Sequence, residues 1–331
     1  MSAAADGRHP KPMHLLGALA VAAALAFALS LAVGPAGLGI EATGEARALI
    51  FTEIRLPRAV LGALVGGALG LSGAALQGYL RNPLAEPSLV GVSGGAALGA
   101  VLAIHLGLSQ VLALALPLGG LAGAAVAMLA VVALAGVHSG PVTLILAGLA
   151  VSSLAAALIS LALNLSQNPF ASVEMVFWMM GSLADRSLTH VWLSAPLLLI
   201  GMGLLLTVGR TLDALTLGED AARSLGLDLR HTRLAVVAGT ALSVGAATAV
   251  TGIIGFLGLI VPHVLRPLAG HRPGLLLSAS MLGGAAMLLV ADVALRLLQP
   301  WIELRIGVLT ALIGAPFFVW LVLKTRSELA P

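Results

Sequence analysis

An all-α, polytopic membrane protein with about ten transmembrane helices is the fold class the sequence predicts, and three observations carry that expectation. Hydrophobic residues make up 59% of the 331 and charged residues only 9%, whereas a soluble domain is about a quarter charged. Apolar stretches repeatedly reach the roughly 20 residues that cross a bilayer core. Forty glycines in an Ala/Leu-rich background suit helices that approach one another through small residues. Residues 1–331 are read as a single membrane domain, with a cytoplasmic tail over 1–12 and one polar connection over 211–232.

Taken in order, the tail carries Arg8 and Lys11, and the apolar run 13–34 is a retained first span. It exceeds the apolar core of a signal peptide, about 7–15 residues, and lacks a clear A-x-A cleavage site. Further spans are expected at roughly 57–80, 88–107, 111–136, 141–164, 190–209, 233–250, 253–268, 275–296 and 306–323. The 253–268 candidate is short, which leaves nine spans open. With the N-terminus inside, Arg47, Arg55, Arg58, Arg186, Arg296 and Arg305 face out and the other eleven of the 17 Lys and Arg face in, as the positive-inside rule requires.

The polar connection breaks the hydropathy most sharply. Thr216 and Glu219 have the S/T-x-x-E spacing of a capping box, Gly226 has the place of a left-handed helix stop, and Glu219 and Arg223 are i,i+4 partners. Together they predict a short helix over about 217–225, with Asp228 capping the next segment. A rigid cytoplasmic knob and a loop kept soluble by charge both fit this pattern. In the second span, Gly62, Gly66 and Gly70 repeat G-x-x-x-G, a close-contact face. The run Asn82-Pro83-Leu84-Ala85-Glu86-Pro87 then ends one helix and redirects the chain.

Several chemistries are excluded by missing parts. Lys11 and Lys324 are the only lysines, and no G-x-x-x-x-G-K-[ST] loop exists, so the chain does not hydrolyse ATP. H-E-x-x-H and a paired intramembrane carboxylate are absent. An ion-coupled carrier normally keeps ionisable groups at mid-membrane, and Asp292, four residues before Arg296, comes closest. The absence of cysteine removes disulfides and thiolate sites. A net charge of +3 says little about nucleic acid, and no such partner is expected.

Five fragments in order resemble the FecCD-type permeases of type II ABC importers. They are Arg55-Leu56-Pro57-Arg58, the Asn82–Pro87 run with Gly91-Val92-Ser93-Gly94-Gly95, the knob, Gly255-Phe256-Leu257-Gly258-Leu259-Ile260-Val261-Pro262-His263, and Gly307 to Phe318. The resemblance implies a permease subunit in a bacterial inner membrane that moves a metal chelate inward by alternating access. Iron-siderophore or haem ranks first as cargo, cobalamin second, and an ion-coupled secondary transporter is the more distant alternative. It also implies a second copy of the chain and two ATPase subunits carrying ATP and Mg, with the knob residues Thr216, Leu217, Gly218, Glu219, Ala222, Arg223, Leu225 and Gly226 as the coupling helix. Arg55, Arg58 and Arg296 would meet acidic residues of a periplasmic binding protein. The fifth and tenth spans would line a path with small side chains such as Ser152, Ser153, Ser160 and Thr310. No cofactor or metal is expected on the chain itself. One departure stands out: Arg305 occupies a position where the family usually has Pro, which puts the local turn in doubt. His263 is expected to be packed or hydrogen-bonded rather than a haem ligand, and Met175, Met179 and Met180 to form a soft packing patch.

Overall fold

Ten helices at the places of the expected spans follow one another along the chain, with a further short apolar helix at Pro169–Met179, in a computed structural model that describes residues 12–34, 37–39, 43–136, 140–299, 301 and 303–329. They are α1 (Pro12–Ala32), α2 (Leu56–Leu80), α3 (Val92–His105), α4 (Ala115–Ala135), α5 (Pro141–Leu165), α6 (Leu188–Thr207), α7 (Leu229–Thr251), α8 (Leu257–Leu265), α9 (Pro273–Leu298) and α10 (Ile306–Leu329). Eight are long and apolar enough to cross a membrane. The tail expected over 1–12 lies outside the described residues except for Pro12.

The two short helices are α3, with 14 residues, and α8, with 9. At about 1.5 Å per residue neither covers a core about 30 Å thick. Both expected spans are broken at their starts. Gly91, at φ 84°, separates α3 from a short turn at Pro87–Val90, and an irregular 252–255 stretch that begins at Gly252, φ 73°, leads to Phe256 at φ 65° before α8. Non-helical backbone at membrane depth is tolerated only when protein satisfies it. The Glu86 carboxylate does so here, accepting the Phe256 N–H at 2.6 Å, while Gln77 Nε2 donates to the carbonyls of Ala85 and Gly258. Two motifs that are 170 residues apart in sequence thus meet in one buried junction.

Helices α2 and α7 are the central, mostly buried pair, whereas α1, α4 and α10 leave most of their surface uncovered within the chain. The G-x-x-x-G face of α2 packs on α9 so closely that a Cβ on Gly66 would land on the Gly284 carbonyl oxygen, and one on Gly70 on that of Ser280. Gly95 and Gly99 of α3 meet Gly119 and Gly123 of α4 in the same way. Before α2 the chain is already helical over Gly44–Leu49 and passes through a π-turn at Ile50–Arg55, earlier than hydropathy alone indicates. A two-residue antiparallel pairing, Val33–Gly34 with Gly37–Leu38, follows α1.

Candidate functional site

Helices α2 and α9 run antiparallel and connect two polar assemblies at opposite ends of the bundle. At one end lies the knob, which consists of two short helices, Gly209–Leu215 and Glu219–Ser224, rather than one over 217–225. The expected capping box does not form. Thr216 closes the first helix, and its hydroxyl donates to the Asp213 carbonyl at 2.7 Å, because the chain turns at Gly218, φ 105°, before the second helix begins. Gly226, at φ 75°, is the left-handed stop, with the Leu227 N–H returning to the Ala222 carbonyl. Asp228 accepts the N–H groups of Arg230 and His231 at the start of α7, and these amides, that of His231 foremost, hold its carboxyl below the usual carboxylate range.

The base of the knob is fixed. Thr211, Leu212, Ala214 and Leu215 are buried, and the Asp213 carboxylate accepts the Gly274 N–H at 2.7 Å in the first turn of α9. Glu219 pairs with Arg223 at 3.5 Å and reaches Arg81, just past the end of α2, at 3.6 Å. The tip exposes apolar surface: Leu217 is 74% and Leu225 65% exposed, while Ala222 between them is fully buried. A solvated loop would have no reason to present two leucines on a framework anchored in this way.

At the other end, Asp292 of α9 is buried between two arginines. Arg58 Nε lies 3.0 Å from both carboxylate oxygens and its Nη2 2.8 Å from Oδ1, and Arg296 Nη2 lies 2.7 Å from Oδ2. Arg296 also donates to the carbonyls of Ser30 and Val33, and Arg55 to those of Leu31, Ala32 and Gly39. Two guanidinium groups thereby satisfy carbonyls that the end of α1 leaves unpaired. The expected outward-facing triad of Arg55, Arg58 and Arg296 is therefore not an exposed patch in this chain: Arg55 and Arg296 are buried tethers, and Arg58 alone is part-exposed, lining a cavity of about 510 Å³. Sequence reading noted Asp292 but not its role; its i,i+4 spacing to Arg296 was the available signal. Asp213 and Glu86 carried no comparable signal, because their partners are distant in sequence.

The remaining candidates are dispersed. Ser153 and Ser160 are exposed on α5 and Ser152 is half-buried, whereas Thr310 is buried on α10, its hydroxyl donating to the Gly307 carbonyl. Within one chain α5 packs on α3 and α4, and α10 on α8 and α9, so the four hydroxyls do not converge. His263 packs edge-on against Phe317 and Trp320, with ring centroids 5.4 and 6.3 Å away. Met175 is fully buried in a cluster with Ile104 and Trp178, and Met179 and Met180 line an apolar cavity of about 590 Å³ with Phe256, Val308 and Leu312. Arg305 leaves the local turn intact, since its carbonyl accepts the Val308 and Leu309 N–H groups at the start of α10.

A vitamin B12 import system permease protein, BtuC, of Citrobacter koseri is 40% identical over 314 residues, 94% of each chain. Its Salmonella paratyphi A counterpart is 41% identical over 307 residues, 91% of this chain and 92% of its own. A metal-chelate type ABC transporter solved in an inward-facing conformation superposes with a TM-score of 0.80 at 33% identity, over 94% of this chain and 99% of its own. A bundle of apolar helices with an anchored knob, matched at this length, defines the permease subunit of an ABC importer. The family model described as the FecCD transport family matches residues 20–324, and the chain belongs to that family.

Proposed function

We propose that this permease carries a corrinoid of the cobalamin type, ahead of the iron chelates ranked first on sequence motifs alone. The observation that carries the reading is its 40–41% identity, over more than nine-tenths of both chains, to vitamin B12 import permeases. The chain works as a homodimer in a bacterial inner membrane, with the knob and both termini cytoplasmic. Two ATPase subunits, which hold the ATP and Mg, seat on Leu217, Leu225 and the acidic start of the Glu219–Ser224 helix. The uncovered apolar faces of α5 and α10, with Leu154, Leu158, Leu312 and Ile313 exposed, support a second copy across a shared path. A periplasmic binding protein delivers the cargo at the arginine end, where Arg58 is the accessible member of the original three.

A mechanical route follows from the contacts. Helices α2 and α9 touch backbone to backbone at Gly66 and Gly284, hold the knob through Arg81 and Gly274, and hold the outer ion cluster through Arg58 and Asp292. Displacement of the knob by an ATPase therefore acts on a stiff pair that reaches the opposite surface. The test is uptake into proteoliposomes containing the permease, its ATPase and its binding protein. Cobalamin should accumulate only with ATP inside, and a ferric siderophore should not compete. Accumulation of the ferric chelate with no cobalamin uptake would return the iron reading to first place.

A further inference from the structure

The junction where the two broken helices meet encloses a small polar cavity of about 30 Å³, lined by Glu86, Ser93, Thr248 and the irregular 252–255 stretch. A water occupies about 10–15 Å³ of such space, so there is room for two waters or for one ion with a water, and none for a cargo molecule. Glu86 brings a carboxylate to this cavity and no cation meets it. Among the described residues it forms no ion pair, and its one hydrogen bond is the Phe256 N–H on Oε1. A carboxylate has about four acceptor sites on its two oxygens, so most of that capacity, all of Oε2 included, is unspent. The guanidinium of Arg266 ends on the Gln77 amide oxygen, and Gln77 in turn donates to the carbonyls of Ala85 and Gly258; the positive charge therefore stops one amide short of Glu86. A carboxylate held at membrane depth without a counter-charge is costly.

The rest of the lining offers oxygen. Thr248 is 4% exposed, yet its hydroxyl makes no hydrogen bond among the described residues, not even the return to the carbonyl four positions back that Thr251 makes to Ala247. The carbonyls of Ile253, Ile254 and Gly255 likewise accept none from the described residues, because the chain there is neither helix nor strand. Thr248 and Thr251 belong to the last turn of α7, whose carbonyl end carries the negative pole of the helix dipole. Ser93, in the first turn of α3, adds a hydroxyl from the facing side.

We propose that this cavity binds one monovalent alkali cation, sodium or potassium, with the Glu86 carboxylate and the Thr248 hydroxyl as ligands and carbonyls of the 253–255 stretch completing the shell. The donor set selects the ion. A lining of oxygens with no His or Cys suits a hard cation rather than a transition metal. Calcium takes about 6–8 oxygens, commonly from several carboxylates, whereas this cavity has one carboxylate, which neutralises one charge. Unwound backbone beside a broken helix is a recurrent way for membrane proteins to hold such ions. The cation supplies the charge that the Phe256 N–H alone does not, and it ties the break before α3 to the break before α8. The site does not depend on which cargo the permease carries.

The experiment uses the purified full-length permease in nanodiscs, in sodium, potassium or choline chloride at equal ionic strength, with melting temperature and binding of radiolabelled sodium as readouts. Sodium or potassium should raise the melting temperature with the logarithm of its concentration, while choline, too large for the cavity, should not, and labelled sodium should saturate at one ion per chain. Glu86→Gln keeps an oxygen to accept the Phe256 N–H and removes the charge, so it should weaken sodium binding by about a hundredfold or more and abolish the salt-specific shift. Thr248→Val keeps the shape and removes the hydroxyl, and should weaken binding by about tenfold. If Glu86→Gln does not purify as folded protein, Thr248→Val and the wild-type salt series decide. Equal melting temperatures in all three salts with no saturable sodium binding would overturn the site. Saturable binding that is unchanged in the folded variants would place the ion elsewhere and also overturn it. Stability that follows pH identically in every salt, with that dependence lost in Glu86→Gln, would show a proton on Glu86 in place of the cation and refute the proposal.

Discussion

Replacing Asp292 by alanine tests the outer ion cluster most directly. The carboxylate is 1% exposed and Arg296 3% exposed, and Arg58 and Arg296 grip it at 2.8 and 2.7 Å. Removing one partner of a buried pair costs about 3–5 kcal/mol, because a buried charge is left uncompensated, and here two guanidiniums would face each other with no anion between them. Arg58→Ala is milder. It leaves Asp292 paired with Arg296 and removes one charged hydrogen-bonding arm, about 1.5–3 kcal/mol. The double variant should cost less than the sum, with a coupling of roughly 1–3 kcal/mol. Unfolding of the purified permease in detergent, followed by intrinsic fluorescence for wild type, both single variants and the double, measures the cycle. Additivity within about 0.5 kcal/mol would refute the reasoning, since it would mean that the cluster is solvated and its charges independent.

Gly226→Ala, at φ 75°, should destabilise the knob's stop by about 1 kcal/mol and lower transport per ATP hydrolysed, whereas Thr216→Ala, whose hydroxyl does not cap the Glu219–Ser224 helix, should leave that ratio near wild type; uptake and phosphate release in the same proteoliposomes compare the two. Gly284→Ala places a methyl on the Gly66 carbonyl and should cost about 1–3 kcal/mol or more, read as a lower melting temperature and poorer folded yield, while the neighbouring Ala285→Gly should not show the same loss of yield. The Asp228 carboxyl is held below its ordinary value by the amides it caps, so its stabilisation of α7 is complete above the unfolded carboxylate pKa of about 3.9 and is lost as pH falls through the native value. Hydrogen exchange at the Arg230 and His231 amides should therefore differ between wild type and Asp228→Ala at neutral pH and converge in acid; a difference that persists in acid would show that the cap does not depend on charge.

Much of the architecture was legible because it rests on local composition. Apolar length marked the spans, Gly62, Gly66 and Gly70 marked the face that α9 occupies, and the Gly226 stop and the Asp228 cap involve residues within a few positions of their partners. The capping box failed for a physical reason: the S/T-x-x-E spacing is a local pattern, but burial of Leu212 and Leu215 and the tie from Asp213 to Gly274 hold the preceding residues in a helix of their own, so Thr216 closes that helix instead of opening the next. The surroundings of the arginines were likewise beyond local pattern. Charge and position put Arg55, Arg58 and Arg296 at one surface, yet the unpaired carbonyls at the end of α1 and the carboxylate of Asp292 claim their guanidiniums, and Ser30 and Arg296 lie 266 residues apart. Composition and short-range spacing by themselves determined a polytopic helical bundle with one capped polar projection, because hydropathy and helix punctuation act within a few turns. Only the tertiary structure decided which charges are consumed inside the bundle and which, such as that of Glu86, meet no opposite charge among the described residues, because pairing a buried charge depends on helices that meet in space far from where they lie in sequence.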